Sequence, residues 1–589
     1  MNNTCRHQFK RLRLCAVWLA ALALMAGKCL GQAGIRQDIS LNKGWHTTAD
    51  AHNINAYNGF EKPGYNEKWQ VVQVPHNWDQ YYGYRRLQHG NLHGYAWYRK
   101  TFPLAVKRPG KKYFLYFEGV GSYATVWLNG RQVGYHAGGR TTFTIDVTGA
   151  IKAGRENLLC VRADHPAFIK NLPWVCGGCS DDPGFSEGSQ PMGIFRPVHL
   201  VVTNNIRIMP FGVHIWNDTT VTRRSATLNL ETEVKNYGMA ASTVSVINQL
   251  ADAGGKVIAQ VKTTKNIAKD EDVVVPQVLR DVKNVRLWSL EDPYLYKIIT
   301  RVWRNGKLTD QTETPYGIRW ISWPVGRAGT DGRFYLNGKP VFINGIAGYE
   351  HLMGKSQSFA PQEIRARVMQ VKAAGFNAFR DAHQPHNLLY QKYWDKLGIL
   401  WWPQYTAHIW YDTPEFRNNF KLLLADWIKE RRNSPSVILW GLQNESHLPE
   451  DFARECSDII RRLDPTASSQ RKITTCNGGK GTDWDVPQNW TGTYGGNPET
   501  YGRDLEKQLL VGEYGAWRSL GLHTEGPFNQ SGPYSEDRMA QLMETKVRLA
   551  EAVKDKVAGQ FQWLLYSHEN PGRIQGGEGL RELDRVGPV

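Results

Sequence analysis

Cysteine is scarce in this chain, and its placement is uneven. Eight cysteines stand among 589 residues, three of them (Cys5, Cys15 and Cys29) within the first 31. The other five are Cys160, Cys176, Cys179, Cys456 and Cys476, an odd number that leaves at least one thiol unpaired. Cys176-Gly-Gly-Cys179 could close a tight disulfide in an oxidising compartment. A zinc site is the weaker reading, because no second Cys/His pair accompanies it. Long apolar runs are equally few. The run from Leu14 to Gly27 is too short to span a bilayer, and Arg6, Lys10, Arg11 and Arg13 stand before it. That pattern reads as a secretory signal peptide over residues 1–31, cleaved after Gly31, with a periplasmic destination. Lys28 argues against lipid modification of Cys29. No later stretch is long and apolar enough for a membrane helix, so membrane insertion is not expected. A compact basic tract is lacking too. The net charge is +17; residues 1–31 hold five basic residues and no acidic ones, so +12 remains beyond them. The Lys and Arg are dispersed, which reads as a solvated basic surface rather than a nucleic-acid face or a grip on acidic or sulfated glycans.

Aromatics, by contrast, are plentiful: 12% of the chain, with 22 tryptophans. Indoles stack on the CH faces of pyranose rings, but large β-rich proteins also bury Trp in their cores, and composition leaves both readings open. The length suits about three to four domains.

One stretch organises the chain: Val437-Ile438-Leu439-Trp440-Gly441-Leu442-Gln443-Asn444-Glu445-Ser446. An apolar run of strand length ends in Asn-Glu. A helical pattern precedes it over 415–433, with Phe416, Phe420, Leu424, Trp427 and Ile428 on one face; another follows over 450–463. A carboxylate just past such a strand lies where barrel enzymes keep their chemistry; the alternative is a helix cap or a solvated loop charge. Leu509-Leu510-Val511-Gly512-Glu513-Tyr514-Gly515 repeats the pattern. Two carboxylates at the mouth of one barrel meet the needs of glycosidic cleavage. One protonates the leaving oxygen, and the other attacks the anomeric carbon or activates water.

Taken in order, residues 32–205 alternate short strands with turns. The strands include 113–117 and 124–128, and Asn129-Gly130 is a hairpin signal. Residues 206–318 form a second all-β segment, in which 226–232 alternates with period two. From 319 to 589 strands and helices alternate. Eight strand candidates lie at 341–346, 376–382, 399–404, 437–442, 472–476, 490–495, 509–515 and 560–565. Helical patterns include 361–374, opened by Pro361 and stopped at Gly375, and 386–397, stopped at Gly398. Eight such units predict a (β/α)8 TIM barrel, with Glu445 after strand four and Glu513 at the end of strand seven. Little chain follows strand eight, so the barrel looks truncated there.

Trp440 through Ser446 and Val511 through Gly515 resemble the acid/base and nucleophile motifs of glycoside hydrolase family 2, which includes β-galactosidases, β-glucuronidases and β-mannosidases. Val74-Pro75-His76-Asn77-Trp78 and Gly193-Ile194-Phe195-Arg196 resemble its N-terminal jelly-roll sugar-binding domain. Residues 287–296 resemble its immunoglobulin-like β-sandwich domain. The resemblance therefore implies a multidomain α and β protein: jelly roll, immunoglobulin-like sandwich, then catalytic barrel. It implies Glu445 as acid/base, Glu513 as nucleophile and Asn444 bonded to the sugar 2-OH. Arg380 and His383 match the family's Arg-x-x-His-x-Pro, the Arg beside the nucleophile and the His on sugar hydroxyls. By the same resemblance His408 binds sugar, Tyr494 bonds the nucleophile, Trp563 floors the sugar subsite, and Asn77 and Glu187 reach the pocket. His568, Glu569 and Arg573 either read further subsites or build a loop.

The chain also departs from the family. Pro403-Gln404 stands where relatives often carry Asp-Glu. Ser446 follows Asn444-Glu445 where the β-glucuronidase subgroup usually carries Asn-Glu-Pro, Gly576-Gly577-Glu578-Gly579 after strand eight carries no Asn-x-Lys, and the β-mannosidase acid/base motif differs. The expectation is a secreted, exo-acting, retaining β-glycosidase for β-galactosides in oligo- or polysaccharides. The alternatives are another β-glycoside specificity, β-glucuronidase foremost, or a glycan-binding protein without catalysis. No cofactor is expected, a monovalent or divalent cation is not indicated, and oligomeric state is left open.

Overall fold

The computed structural model describes residues 34–50, 59–65, 69–78, 94–166, 169–174, 191–325, 331–350, 357–407, 412–446, 448–493, 495–515 and 536–566. Cys176, Cys179, Glu187, His408, Tyr494, His568, Glu569 and Arg573 lie outside them, as does the segment read as a signal peptide.

The first unit is two antiparallel sheets face to face. One has six strands, in the order Gln70–Val72, Trp45–Asp50, Gly94–Leu104, Arg155–His165, Tyr123–Leu128 and Arg131–Ala137. The other has four: Gln37–Ser40, Val198–Asn204, Lys111–Phe117 and Phe143–Asp146. Inward positions such as Ala96, Tyr98, Leu115, Phe117, Val126 and Val161 are fully buried and form one core between the sheets. The turn predicted at Asn129-Gly130 joins Leu128 to Arg131. Both of its residues have positive φ, +56° and +81°, which matches the twist of the hairpin.

The second unit pairs a three-stranded sheet (Ile206–Trp216, Ser225–Asn236, Asp272–Lys283) with a four-stranded one (Val257–Ile267, Ser242–Ala251, Tyr296–Arg304, Lys307–Tyr316). Ser225–Asn236 alternates buried and half-buried residues along its whole length, as period-two hydrophobicity demands. The core holds one polar staple: Asn248 Nδ2 donates to Thr232 Oγ1 at 2.9 Å and to Gln277 Oε1 at 2.7 Å, linking the sheets.

The third unit is a parallel barrel. Six strands run in the order Leu400–Trp402, Ala378–Ala382, Ile343–Tyr349, Gly559–Gln562, Leu510–Tyr514 and Gln488–Asn489. Three more, Leu439–Asn444, Lys472–Cys476 and Trp484–Val486, complete the circle. Parallel bridges Trp401–Val437, Gln404–Gly441 and Ala407–Asn444 close one seam. The other closes through the sixth position, which is split. Trp484–Val486 pairs with strand five and Gln488–Asn489 with strand seven. The sixth strand expected at 490–495 is therefore corrected to 484–489. Pro487 divides it, since it has no N–H for a ladder, and its carbonyl instead accepts from Gly512 N at 2.8 Å. Helices Pro361–Ala373, Leu388–Leu397, Pro414–Arg431 and Glu450–Leu463 cover the outside. Leu388–Leu397 begins two residues later than the pattern suggested, because Asn387 caps it, its side chain accepting from Leu389 N. Gly398, at φ +66°, ends it in the left-handed region. Among the described residues no helix is long and apolar enough to cross a membrane.

Both sandwiches dock on the barrel. The second meets the N-terminal end of the fourth strand, where Arg319 donates to Pro435 O at 3.0 Å and Val437 O at 2.7 Å. The first lies against helix Pro414–Arg431 and the segments after strands two and three. Trp174 Nε1 donates to Gly138 O within the sandwich, and Gln384 Nε2 donates to Trp174 O at 2.9 Å.

Candidate active site

The site is at the C-terminal end of the barrel strands and begins with strand two. Ala378–Ala382 is buried throughout, and its alternation sorts the side chains. Phe379 and Asp381 face the helix layer. Phe379 stacks on Trp394, with centroids 4.9 Å apart, and Asp381 Oδ1 accepts from Trp401 Nε1 at 2.8 Å. Burial pushes the Asp381 carboxyl well above its usual range and its neighbour His386 well below.

Arg380, between them, faces the barrel interior and is fully buried. Its guanidinium lies 4.6 Å from the Trp402 ring centroid. One terminal nitrogen donates to Glu513 Oε1 at 2.7 Å and Gly512 O at 2.8 Å. The other donates to Asn444 Oδ1 at 2.7 Å and Gln404 Oε1 at 3.1 Å. Burial alone pulls the Arg380 pKa down; the Cys476 thiol and the carboxylates of Glu513 and Glu445 raise it, and the net shift is upward. Arg380 thus spans both Asn-Glu and Gly-Glu motifs and keeps its charge.

His383 follows on the same segment. Its Nδ1 is 2.6 Å from Gln404 Oε1 and its Nε2 is 3.8 Å from Glu513 Oε1. Its ring stacks on Trp563 at 4.9 Å and 6°, and Tyr349 sets its edge against both rings. Trp563 is held after strand eight by its backbone N–H, which donates to Tyr514 O at 2.8 Å.

Glu513 is 4% exposed. Glycine must precede it: a Cβ at Gly512 would lie 2.6 Å from Cys476 Sγ. Gly441, in the strand leading to Glu445, is similarly confined by Gln404 and Trp402. Glu445 is half-buried, its N–H bonded to Cys476 O at 2.9 Å. Its φ is +43°, an uncommon conformation for a side chain of this size and one that collects at functional sites. Chemically, the arrangement offers a shielded carboxylate gripped by a cation and a more open carboxylate from the adjoining motif.

Of the residues expected at the site, Glu513, Arg380, Asn444, His383 and Trp563 are joined by these contacts, and Glu445 adjoins Asn444. Asn77 sits in the first sandwich, where its Oδ1 accepts from Met192 N at 2.8 Å. It also lines a cleft of about 530 Å³ reaching Ser358 and Pro361. Gln404 and Tyr349 were not foreseen as site residues. Gln404 stood at the end of an expected strand, and that position was the available signal. Tyr349 lay beyond the expected end of strand one, whose pattern Gly345 and Gly348 interrupt. Among the described residues, no group of three His, Cys, Asp or Glu side chains could hold a metal ion.

Comparison with known proteins agrees with this architecture. The family model described as glycosyl hydrolases family 2, sugar binding domain, matches residues 39–204; glycosyl hydrolases family 2 matches 211–319; and the TIM barrel domain of the same family matches 328–516. The chain belongs to glycosyl hydrolases family 2. It is similar to a beta-glucuronidase of Bacteroides fragilis, 26% identical over 92% of this chain and 77% of that one. It is 30% identical to a beta-galactosidase of Bacteroides ovatus, over 65% of this chain and 44% of that one. The crystal structure of a Bacteroides uniformis beta-glucuronidase shares the fold, with a TM-score of 0.78 at 22% identity, over 92% of this chain and 67% of that one. A relative from Formosa agariphila is spanned over 61% of its length, so this chain corresponds to only part of several longer proteins.

Proposed function

We propose that this protein is a secreted, exo-acting, retaining β-glycosidase that removes terminal β-linked galactose from oligo- or polysaccharides. The observation that carries the reading is the fork of Arg380, which binds Glu513 with one nitrogen and Asn444 with the other. It holds a buried carboxylate as an ionised nucleophile and sets it beside the motif whose next residue, Glu445, serves as general acid and then base. Asn444 Oδ1 is taken by Arg380, while its Nδ2 has no partner among the described residues, leaving a donor for a sugar hydroxyl. Trp563 and His383 form the sugar platform; His408, Tyr494, Asn77 and Glu187 complete the pocket. Acid, base and nucleophile all come from two carboxylates, so the proposed reaction calls for no cofactor. We read the first sandwich as a jelly roll, and residues 1–31 as the signal that directs the protein to the periplasm.

The β-glucuronide is the second reading, favoured by the name of the Bacteroides fragilis relative that matches most of the chain. A glucuronide brings a carboxylate that needs a cation. Both terminal nitrogens of Arg380 are already committed to protein oxygens, so Arg380 is not the cation that would hold it. A panel of nitrophenyl β-glycosides decides between them. Fastest turnover is expected on the β-galactoside; faster turnover of the β-glucuronide selects the second reading. A folded protein inactive on the whole panel would remove both. A sugar-bound crystal structure should place the carboxyl carbons of Glu445 and Glu513 about 5 Å apart, whereas about 9 Å would indicate inversion.

A further inference from the structure

The segment Pro385-His386-Asn387, which links His383 to the next helix, is pinned at three successive backbone groups. Pro385 O accepts from Arg196 Nη2 at 2.7 Å. His386 O accepts from Arg431 Nη2 at 3.0 Å. Asn387 N donates to Glu350 Oε1 at 2.7 Å. Hydrogen bonds to charged groups are about twice as strong as those between neutral groups. Here every anchor is a charged side chain, and each is almost completely buried.

Two of the anchors lead back to the first sandwich. Arg196 belongs to it, two residues before strand Val198–Asn204 begins, and its Nη2 also meets Glu350 Oε2 at 3.0 Å. Its other terminal nitrogen donates to Arg140 O at 2.7 Å, within the sandwich. Gly119 leaves room for its stem, since a Cβ there would lie 2.8 Å from Arg196 Cδ. The second path starts at Thr142 N, which donates to Glu430 Oε1 at 2.7 Å; the other oxygen of Glu430 binds Arg431. Glu350 directly follows barrel strand Ile343–Tyr349 and so ties strand one to the same clamp.

We infer that the first sandwich is a positioning element for the barrel site, and that Arg196, paired with Glu350, is the positioning residue that sets His383 against Trp563 and Glu513. This rests on the reading of the barrel mouth as a glycosidase site. Arg196 acts through the backbone at Pro385, two residues from His383, and a displacement of about 1 Å at a reacting geometry can slow turnover about 100-fold.

The test uses the full chain with Arg196→Ala, Arg196→Lys and the double variant Arg196→Ala/Glu350→Gln, the last included because the single Ala change strands a buried carboxylate. Hydrogen exchange of the folded protein is read first. Exchange at 383–387 should quicken at least ten-fold in the Ala variants, while strand Leu510–Tyr514 stays as in the wild type. Unchanged exchange at 383–387, or an equal rise in both places, overturns the clamp. Kinetics on the best nitrophenyl glycoside are read second. The Ala variants should lose roughly 10- to 100-fold in kcat with KM changed less than about three-fold, and Arg196→Lys should recover part of it. Local loosening with kcat and KM unchanged overturns the positioning role. A wild type inactive on all glycosides defeats the enzymatic reading instead, and the exchange result still decides whether the clamp exists.

Discussion

Glu445 and Glu513 differ in what surrounds them, and that difference fits the separate roles proposed for them. Glu513 is 4% exposed and bonded to Arg380, whereas Glu445 is half-buried at positive φ. Glu513→Ala is expected to abolish hydrolysis of every substrate. Glu445→Ala should still form the glycosyl-enzyme from an aryl glycoside whose leaving group departs without a proton. That intermediate should then accumulate, and azide should restore turnover with a β-glycosyl azide as product. The β-product arising from Glu513→Ala would reverse the assignment. At this scale the two catalytic candidates were legible, because each ends a short apolar run in a carboxylate. Gln404 was not, since an amide acquires its place only from its partners, Arg380 and His383, 24 and 21 residues away.

Barrel strands are legible where alternation or an unbroken apolar run survives, and illegible where glycine makes room for a neighbour. Strand one was expected to end at 346 yet extends to Tyr349, because Gly345 faces Phe561, whose ring a Cβ would approach to 2.3 Å. Strand seven has the same constraint at Gly512. Gly512→Ala should destabilise the protein by about 1–3 kcal/mol through overpacking against Cys476 and Trp402, and displace Glu513. Thermal melting and kcat measured together test this; an unaltered melt with full activity would show that the strand has slack. In the first sandwich, strand Arg131–Ala137 carries His136, stacked on Phe143 at 4.4 Å and brought down to about 4 by burial. A base whose folded pKa is depressed binds protons preferentially in the unfolded chain. Stability is therefore present above the unfolded value near 6.5 and is lost as pH falls towards 4. Between pH 7 and pH 5 this residue should account for about 2 kcal/mol of loss. His136→Leu should flatten that dependence in urea unfolding at the two pH values; identical slopes would show that His136 does not contribute.

The whole molecule is three units joined by buried arginines. At the end of the barrel away from the site, Arg319 donates to Pro435 O, Val437 O and Gln470 Oε1, and Gln470 in turn donates to Asn217 O of the second sandwich at 2.7 Å. Burial lowers its pKa to about 9, still a cation at neutral pH. Arg319→Ala leaves Pro435 O without its donor and takes one of two donors from Val437 O and from Gln470 Oε1, which keep Arg471 Nε and Ile321 N, and should cost about 3 kcal/mol. Calorimetry should then show the sandwich and barrel melting at separate temperatures; one transition at the wild-type temperature would mean that the contact does not couple them.

What the chain determines locally is the kind and order of its elements and the two strand-end motifs that close on Glu445 and Glu513. Periods of two and 3.6, turn pairs such as Asn129-Gly130 and caps such as Asn387 and Gly398 all act over a few residues, so they can be read in line. Tertiary structure alone decided that the sixth strand divides at Pro487, that Arg380 grips partners 64 and 133 residues away, and that Arg196 reaches across from the sandwich to the segment beside His383. The reason is physical. A buried charge must find its counter-charge and acceptors, and which atoms those are is settled only when barrel closure and domain docking bring distant residues within hydrogen-bonding distance.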